Sequence, residues 1–195
     1  MKKILIFTLA FALVLGNGFM MFEGVVASAE NVTSTGSAIS LNNDVYVDIT
    51  AELSLTCDTQ TDVDLGDING MTGGIGTGAT VCNVSTNDTD GYNLTLAADS
   101  AGLVNGAYSI PPISDGAFSV AASASGIGYN ASSSDPADTF WFGLSAATDV
   151  IATTSDETAF SGDTTTINYR VEVGNAKNQE IGRYDTTVTY TATAH

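Results

Sequence analysis

Apolar and polar residues alternate along this chain in several long runs. The longest sets Val45, Val47, Ile49, Ala51, Leu53, Leu55 and Cys57 against Tyr46, Asp48, Thr50, Glu52, Ser54 and Thr56. Period two marks a strand with one buried face. Thirteen residues of extended chain would reach roughly 43 Å, whereas a typical strand spans about 17–20 Å. The run is too long for one strand, so it either bends between sheets or its first half leaves the domain. The last run alternates in the same way. Tyr184, Thr186, Val188, Tyr190 and Ala192 share one face; Arg183, Asp185, Thr187, Thr189 and Thr191 share the other. This final strand is expected to pair near the first one and close the core.

Shorter runs fill the space between. "DVDLG" places Val63 and Leu65 in phase, and "TTTINYRVEV" does the same for Ile167, Tyr169, Val171 and Val173. "ATVCNVST" and "YNLTLAA" flank "NDTDG", whose Asn, Asp and Gly suit a tight turn. "AYSI" and "AFSVAAS" are weaker candidates around the Pro111-Pro112 break, and "TFWFGL" follows a polar loop. "NGMTGGIGTG" is expected to be a flexible inter-strand loop. A phosphate loop would need a following Lys and a helix start, and neither is there. Helical periodicity is absent after the N-terminal segment. Short strands with turns every 8–12 residues or so indicate an all-β sandwich.

The N-terminus sets the compartment. Lys2 and Lys3 precede the apolar "ILIFTLAFALVLG", and Ala27-Ser28-Ala29 offers a small-residue cleavage site. Residues 1–29 therefore read as a secretory signal peptide. A retained anchor is the other reading, but Gly16, Asn17 and Gly18 interrupt the stretch. The remainder divides into a polar extended arm, 30–44, and a sandwich domain, 45–195. The expected location is extracellular or at the cell surface, with no membrane insertion after cleavage.

Charge narrows the partners. The chain has 5 Lys and Arg against 22 Asp and Glu. Without Lys2, Lys3 and Glu23, 3 basic side chains face 21 acidic ones, a net charge of −18. Such a surface repels nucleic-acid phosphates and anionic lipid. Two cysteines remain, Cys57 and Cys82, each in phase with the apolar face of its run. In an exported protein they are expected to form one structural disulfide. Zinc would want more soft ligands, and the only histidine is His195.

At this point the residues resemble a known family. "LSLTCDTQTDVDLGDINGMTGGIGTGATVCNVSTNDTDGYNLTLAA" is similar to the first half of a spore coat protein U-type domain, the fold also used by archaic chaperone–usher pilins. The matching positions are Cys57, Val63, Leu65, Gly66, Cys82, Tyr92, Leu94 and Leu96. The end of the chain resembles the closing strand of that family at Gly182, Tyr184, Thr186, Val188 and Tyr190. The likeness covers about half of residues 30–195, at both ends; 99–165 carries none of it. The resemblance implies an immunoglobulin-like antiparallel β-sandwich that lacks one strand. That strand would come from the N-terminal extension of the next subunit, giving a fibre. Val45, Val47, Ile49 and Ala51 would then be the donor strand, and 51–57 the first strand of the acceptor. The pattern itself shows no break between the two.

Catalytic constellations are missing. Nucleophilic catalysis needs a base beside Ser or Cys, and the lone histidine is terminal. Two carboxylates alone could run a glycosidase, but so many acids single out no pair. Neither an enzyme nor a cofactor is expected. Asp58, Asp62, Asp64 and Asp67 cluster enough to raise a Ca²⁺ candidate, yet the EF-hand register fails at Gly66 and Gly73. Solvated acids and turns are the simpler reading. Trp141 lies between Phe140 and Phe142. It is either an aromatic contact for sugar or protein, or a cover for a second apolar surface. Glycosylation sequons occur at Asn31, Asn83, Asn87, Asn93 and Asn130. The reading is a pilin-like structural or adhesive subunit whose partners are itself or other surface proteins. A stand-alone carbohydrate- or protein-binding module is the alternative.

Overall fold

A computed structural model describes residues 44–58, 62–132 and 139–195. The expected signal peptide and nearly all of the polar arm lie outside the described residues, as does the sequon at Asn31. The chain divides into two compact units, residues 1–47 and 48–195. Among the described residues all ten strands belong to the second unit and none is a helix. The strands are β1 (Leu53–Cys57), β2 (Gly74–Thr86), β3 (Tyr92–Ala98), β4 (Leu103–Asn105) and β5 (Tyr108–Ile110). They continue with β6 (Ser125–Ala131), β7 (Phe142–Gly143), β8 (Asp149–Thr154), β9 (Asp163–Val173) and β10 (Val188–Ala194).

One sheet has the order β1-β2-β9-β6-β7, the other β10-β3-β8, and β4 and β5 form a small hairpin. Every strand ladder is antiparallel. The two larger sheets share one core. Cys82 and Val84 of β2, Ile127 and Tyr129 of β6, and Ile167 and Val171 of β9 meet Leu94 and Leu96 of β3 and Ile151 of β8. Burying each large aliphatic side chain contributes about 2 kcal/mol of transfer free energy. The alternation in β9 and β3 does what it promised. From Thr165 on in β9 and throughout β3, residues in phase with Ile167 and Leu94 are buried, and the intervening ones are half-buried on the outer faces.

Several sequence expectations need correction. The 45–57 run is a strand only from Leu53 on. The glycine-rich stretch is a loop only in its first half: residues 69–73 form a turn, and β2 begins at Gly74 and pairs with β9 from Gly74 to Val84. The glycines are there because Val63 and Leu65 lie over them. A Cβ on Gly78 would sit 2.7 Å from Val63 Cγ1, and one on Gly76 would sit 2.3 Å from the Leu65 carbonyl oxygen. "DVDLG" accordingly fills the core as an extended segment, not as a strand. "AFSVAAS" is not a strand either. It is part of a covering loop in which Ile113 and Val120 press onto Gly126 and Gly128 of β6. β10 does not pair with β1: it pairs with β3, Val188 opposite Ala98 through Ala194 opposite Tyr92.

Candidate functional site

β1 and β10 end their respective sheets and approach each other across the sandwich. β1 is held on its inner side by β2, with Cys57 directly opposite Cys82 and bonded to it. Cys82 is fully buried, so the disulfide is structural, as the alternation required. On these two edge strands the inward-facing side chains are not sealed. Leu55 and Cys57 of β1, and Val188, Tyr190 and Ala192 of β10, pack on the core but stay partly exposed. Their counterparts on β3, Tyr92, Leu94, Leu96 and Ala98, are buried. The core is therefore open along a seam between the first and last strands.

Polar chemistry in the seam is neutral. The hydroxyls of Tyr169 on β9 and Tyr190 on β10 form a hydrogen bond that links the two sheets. Burial raises both phenols above the usual tyrosine range. The Tyr190 charge and hydrogen bond add to this at Tyr169. At Tyr190 the bond pulls partly back while Asp58 pushes up. Both stay protonated through the neutral range. Nothing in this pair is an activated nucleophile.

The candidate donor residues have the complementary property. Val45, Val47 and Ile49 are 96%, 81% and 83% exposed, Ala51 is exposed, and residues 44–52 join no ladder. The break that the pattern did not show is made by Asn87. Its Nδ2 donates to the Thr50 carbonyl (3.0 Å), and its Oδ1 accepts from the Glu52 N–H (2.7 Å). This side-chain clamp stands in for a ladder, and β1 starts immediately after it. Asn87 was legible only as a turn residue and a sequon, not as a clamp.

The four acidic candidates do separate jobs. Asp58 Oδ1 accepts from the Val81 N–H (2.7 Å) and the Thr80 hydroxyl (2.9 Å). Asp62 pairs with Arg183 at 3.3 Å in solvent, and Asp64 accepts from the Gly66 N–H. Asp67 is exposed. Among the described residues, no group of three or more His, Cys, Asp or Glu side chains is arranged to hold a metal ion.

Trp141 is half-buried on the outer face of the larger sheet. Its N–H and carbonyl pair with Gly116, and its ring meets Phe118 edge-on at 5.4 Å. Arg170 lies 4.4 Å over the Phe118 ring and pairs with Glu172 at 3.0 Å. Beside Trp141 is a shallow depression of about 380 Å³ lined by Thr77, Gly78, Ala79, Asn168 and Tyr169. Phe142, on the opposite face, stacks on Tyr129 in the core.

The sequon amides are largely in use. Asn83 Nδ2 donates to the Ser161 carbonyl, and Asn130, fully buried, donates to the Phe140 carbonyl at 2.7 Å. Asn87 holds the clamp just described, and Asn93 lies half-buried on the outer face of β3. The sequence reading did not single out Phe160, which lies between β8 and β9 and is fully exposed. Compared with known proteins, the sequence matches no family model and no curated relative.

Proposed function

We propose that this protein is a secreted structural or adhesive subunit with an immunoglobulin-like sandwich, and that it assembles by strand donation. Residues 45–51 of one copy would enter the seam between β1 and β10 of the next. The observation that carries the reading is the pairing of two unmet needs in one chain. Apolar residues at alternate positions of 45–51 lie in solvent, and the inward side chains of both seam strands are incompletely covered. Adding a strand would satisfy edge hydrogen-bonding groups and place every second side chain into the core. The disulfide is in keeping with an oxidising compartment.

The test compares oxidised residues 30–195 with a copy starting at Ala51, by light scattering and by unheated denaturing gel. A heat-sensitive ladder in the long form, absent in the short one, is expected. Two clean monomers would overturn strand donation. They would favour a stand-alone binding module, for which the depression beside Trp141 offers an aromatic wall with polar neighbours. In that case Trp141→Ala would abolish retention on the matching glycan or protein.

A further inference from the structure

We infer that consecutive subunits also meet pole to pole, with the Phe160 loop of one copy packed on a patch formed by Ile181, Met71 and Tyr108 of the next; this rests on the strand-donation reading. β2 and β9 run the length of the domain and define its two ends. At the first end lie Thr86, Asp163, the start of β1 and the end of β10. At the second lie Gly74, Val173 and the start of β10. Asn87 clamps Thr50 and Glu52 at the first end.

Length and direction then fix the contact. The candidate donor, 45–51, has seven residues, and so does β10. Antiparallel addition to β10, the sense of every ladder in the domain, puts Ala51 beside Val188 at the acceptor's second end. Only Glu52 separates Ala51 from Leu53, the first residue of the donor's own β1. The donor's first end is therefore drawn against the acceptor's second end. Such a heterologous contact repeats into an open filament. Parallel addition would instead bring two first ends together and close a reciprocal dimer.

The two ends suit each other. Phe160 projects from a loop fixed to the body by hydrogen bonds between Thr158 and Thr86. At the other end Ile181 is 90% and Met71 77% exposed, and Tyr108 is half exposed. Gln179 ties their segments together: its N–H donates to the Gly70 carbonyl and its Nε2 to the Ser109 carbonyl. Asn105, at the β4–β5 tip, donates to the Ile181 carbonyl. Exposed apolar patches of this kind mark interaction surfaces.

The experiment uses residues 30–195 carrying F160C and I181C, treated with a short bismaleimide after assembly and run on unheated and boiled gels. A ladder that survives boiling is expected in the double variant and not in either single one. A ladder before boiling that collapses afterwards would overturn the end-to-end contact while leaving strand donation standing. No ladder under either condition would remove both. Phe160→Asp without cross-linking gives a second readout. The temperature at which the ladder is lost should fall, while the melting temperature of the copy starting at Ala51 stays the same under that substitution. An unchanged ladder temperature would count against the contact.

Discussion

At the β7/β8 edge of the sandwich the chain itself crosses from one sheet to the other. β7 ends the larger sheet, and the next two residues already hydrogen-bond to the chain at and just after the end of β3. The Leu144 carbonyl accepts from the Gly102 N–H and the Ser145 carbonyl from the Ala98 N–H, both near the end of β3. Leu144 is buried, and the Tyr129 hydroxyl donates to Asp149 at 2.8 Å to fasten β8 to β6. At the β1/β10 edge no strand among the described residues joins the two sheets; Val63 and Leu65 pack on the core over Gly76 and Gly78 of β2, and Asp62 pairs with Arg183 ahead of β10. Among the described residues β1 is the first strand and β10 the last. The two strands face each other through half-covered side chains, and one tyrosine pair ties β10 to β9. A sandwich edge is well covered where the chain's own connection wraps it and less covered where two edge strands face each other alone.

Breaking the disulfide should have the largest effect on this contrast. It anchors one wall of the open seam and closes a loop of about 26 residues, worth about 3.5 kcal/mol on the loop-entropy account. The paired change of Cys57 and Cys82 to Ser should lower the stability of residues 30–195 by that order in a urea titration. It should also erase the ladder. Next come two leucines of equal size in unequal surroundings. Leu144→Ala at the closed edge should cost about 3 kcal/mol. Leu55→Ala at the seam should cost about 1 kcal/mol in the monomer, because its side chain is only partly removed from water. Equal costs would show that the seam is as well sealed as the other edge.

The smallest effect is a difference in alkaline behaviour. Tyr129 at the closed edge and Tyr169 and Tyr190 at the seam all have phenols raised by burial. The unfolded chain ionises near pH 10, whereas the folded one resists. Stability is therefore level below about pH 10 and falls above it, as the unfolded state comes to bind fewer protons. Tyr190→Phe should cost about 1 kcal/mol at neutral pH, for one lost hydrogen bond, and should make the alkaline fall shallower. A denaturation series between neutral pH and pH 11 checks both.

Strands with one wet and one dry face were readable from sequence. β3, β9 and β10 show their burial phase residue by residue. β6, "SGIGYNA", was not readable, because both of its faces are buried. Ile127, Tyr129 and Ala131 enter the main core, while Gly126 and Gly128 lie under Ile113 and Val120. With no polar phase, the alternation signal vanishes. β8 was hidden for another reason: its register to β3 slips at Leu94/Thr95, and Val150 is exposed beside buried Ile151. The apolar alternation of 45–51 was legible, but its lack of a ladder was not. A strand looks the same in sequence whether its partner is in its own chain or in another.

Asn130 carries a last consequence, for how the protein is made. Its amide nitrogen is the atom a glycosyltransferase would modify, and in the folded domain that nitrogen is buried against the Phe140 carbonyl. Asn87 and Asn83 have likewise committed theirs to Thr50 and Ser161. A host that exports the chain and has sequon machinery would set sugar transfer and folding in a race. Each asparagine that loses the race carries a sugar where β6, the clamp or the β8–β9 turn should close. Production in a host lacking that machinery removes the race, and a glycan found on Asn130 would date its attachment to before the closing of β6.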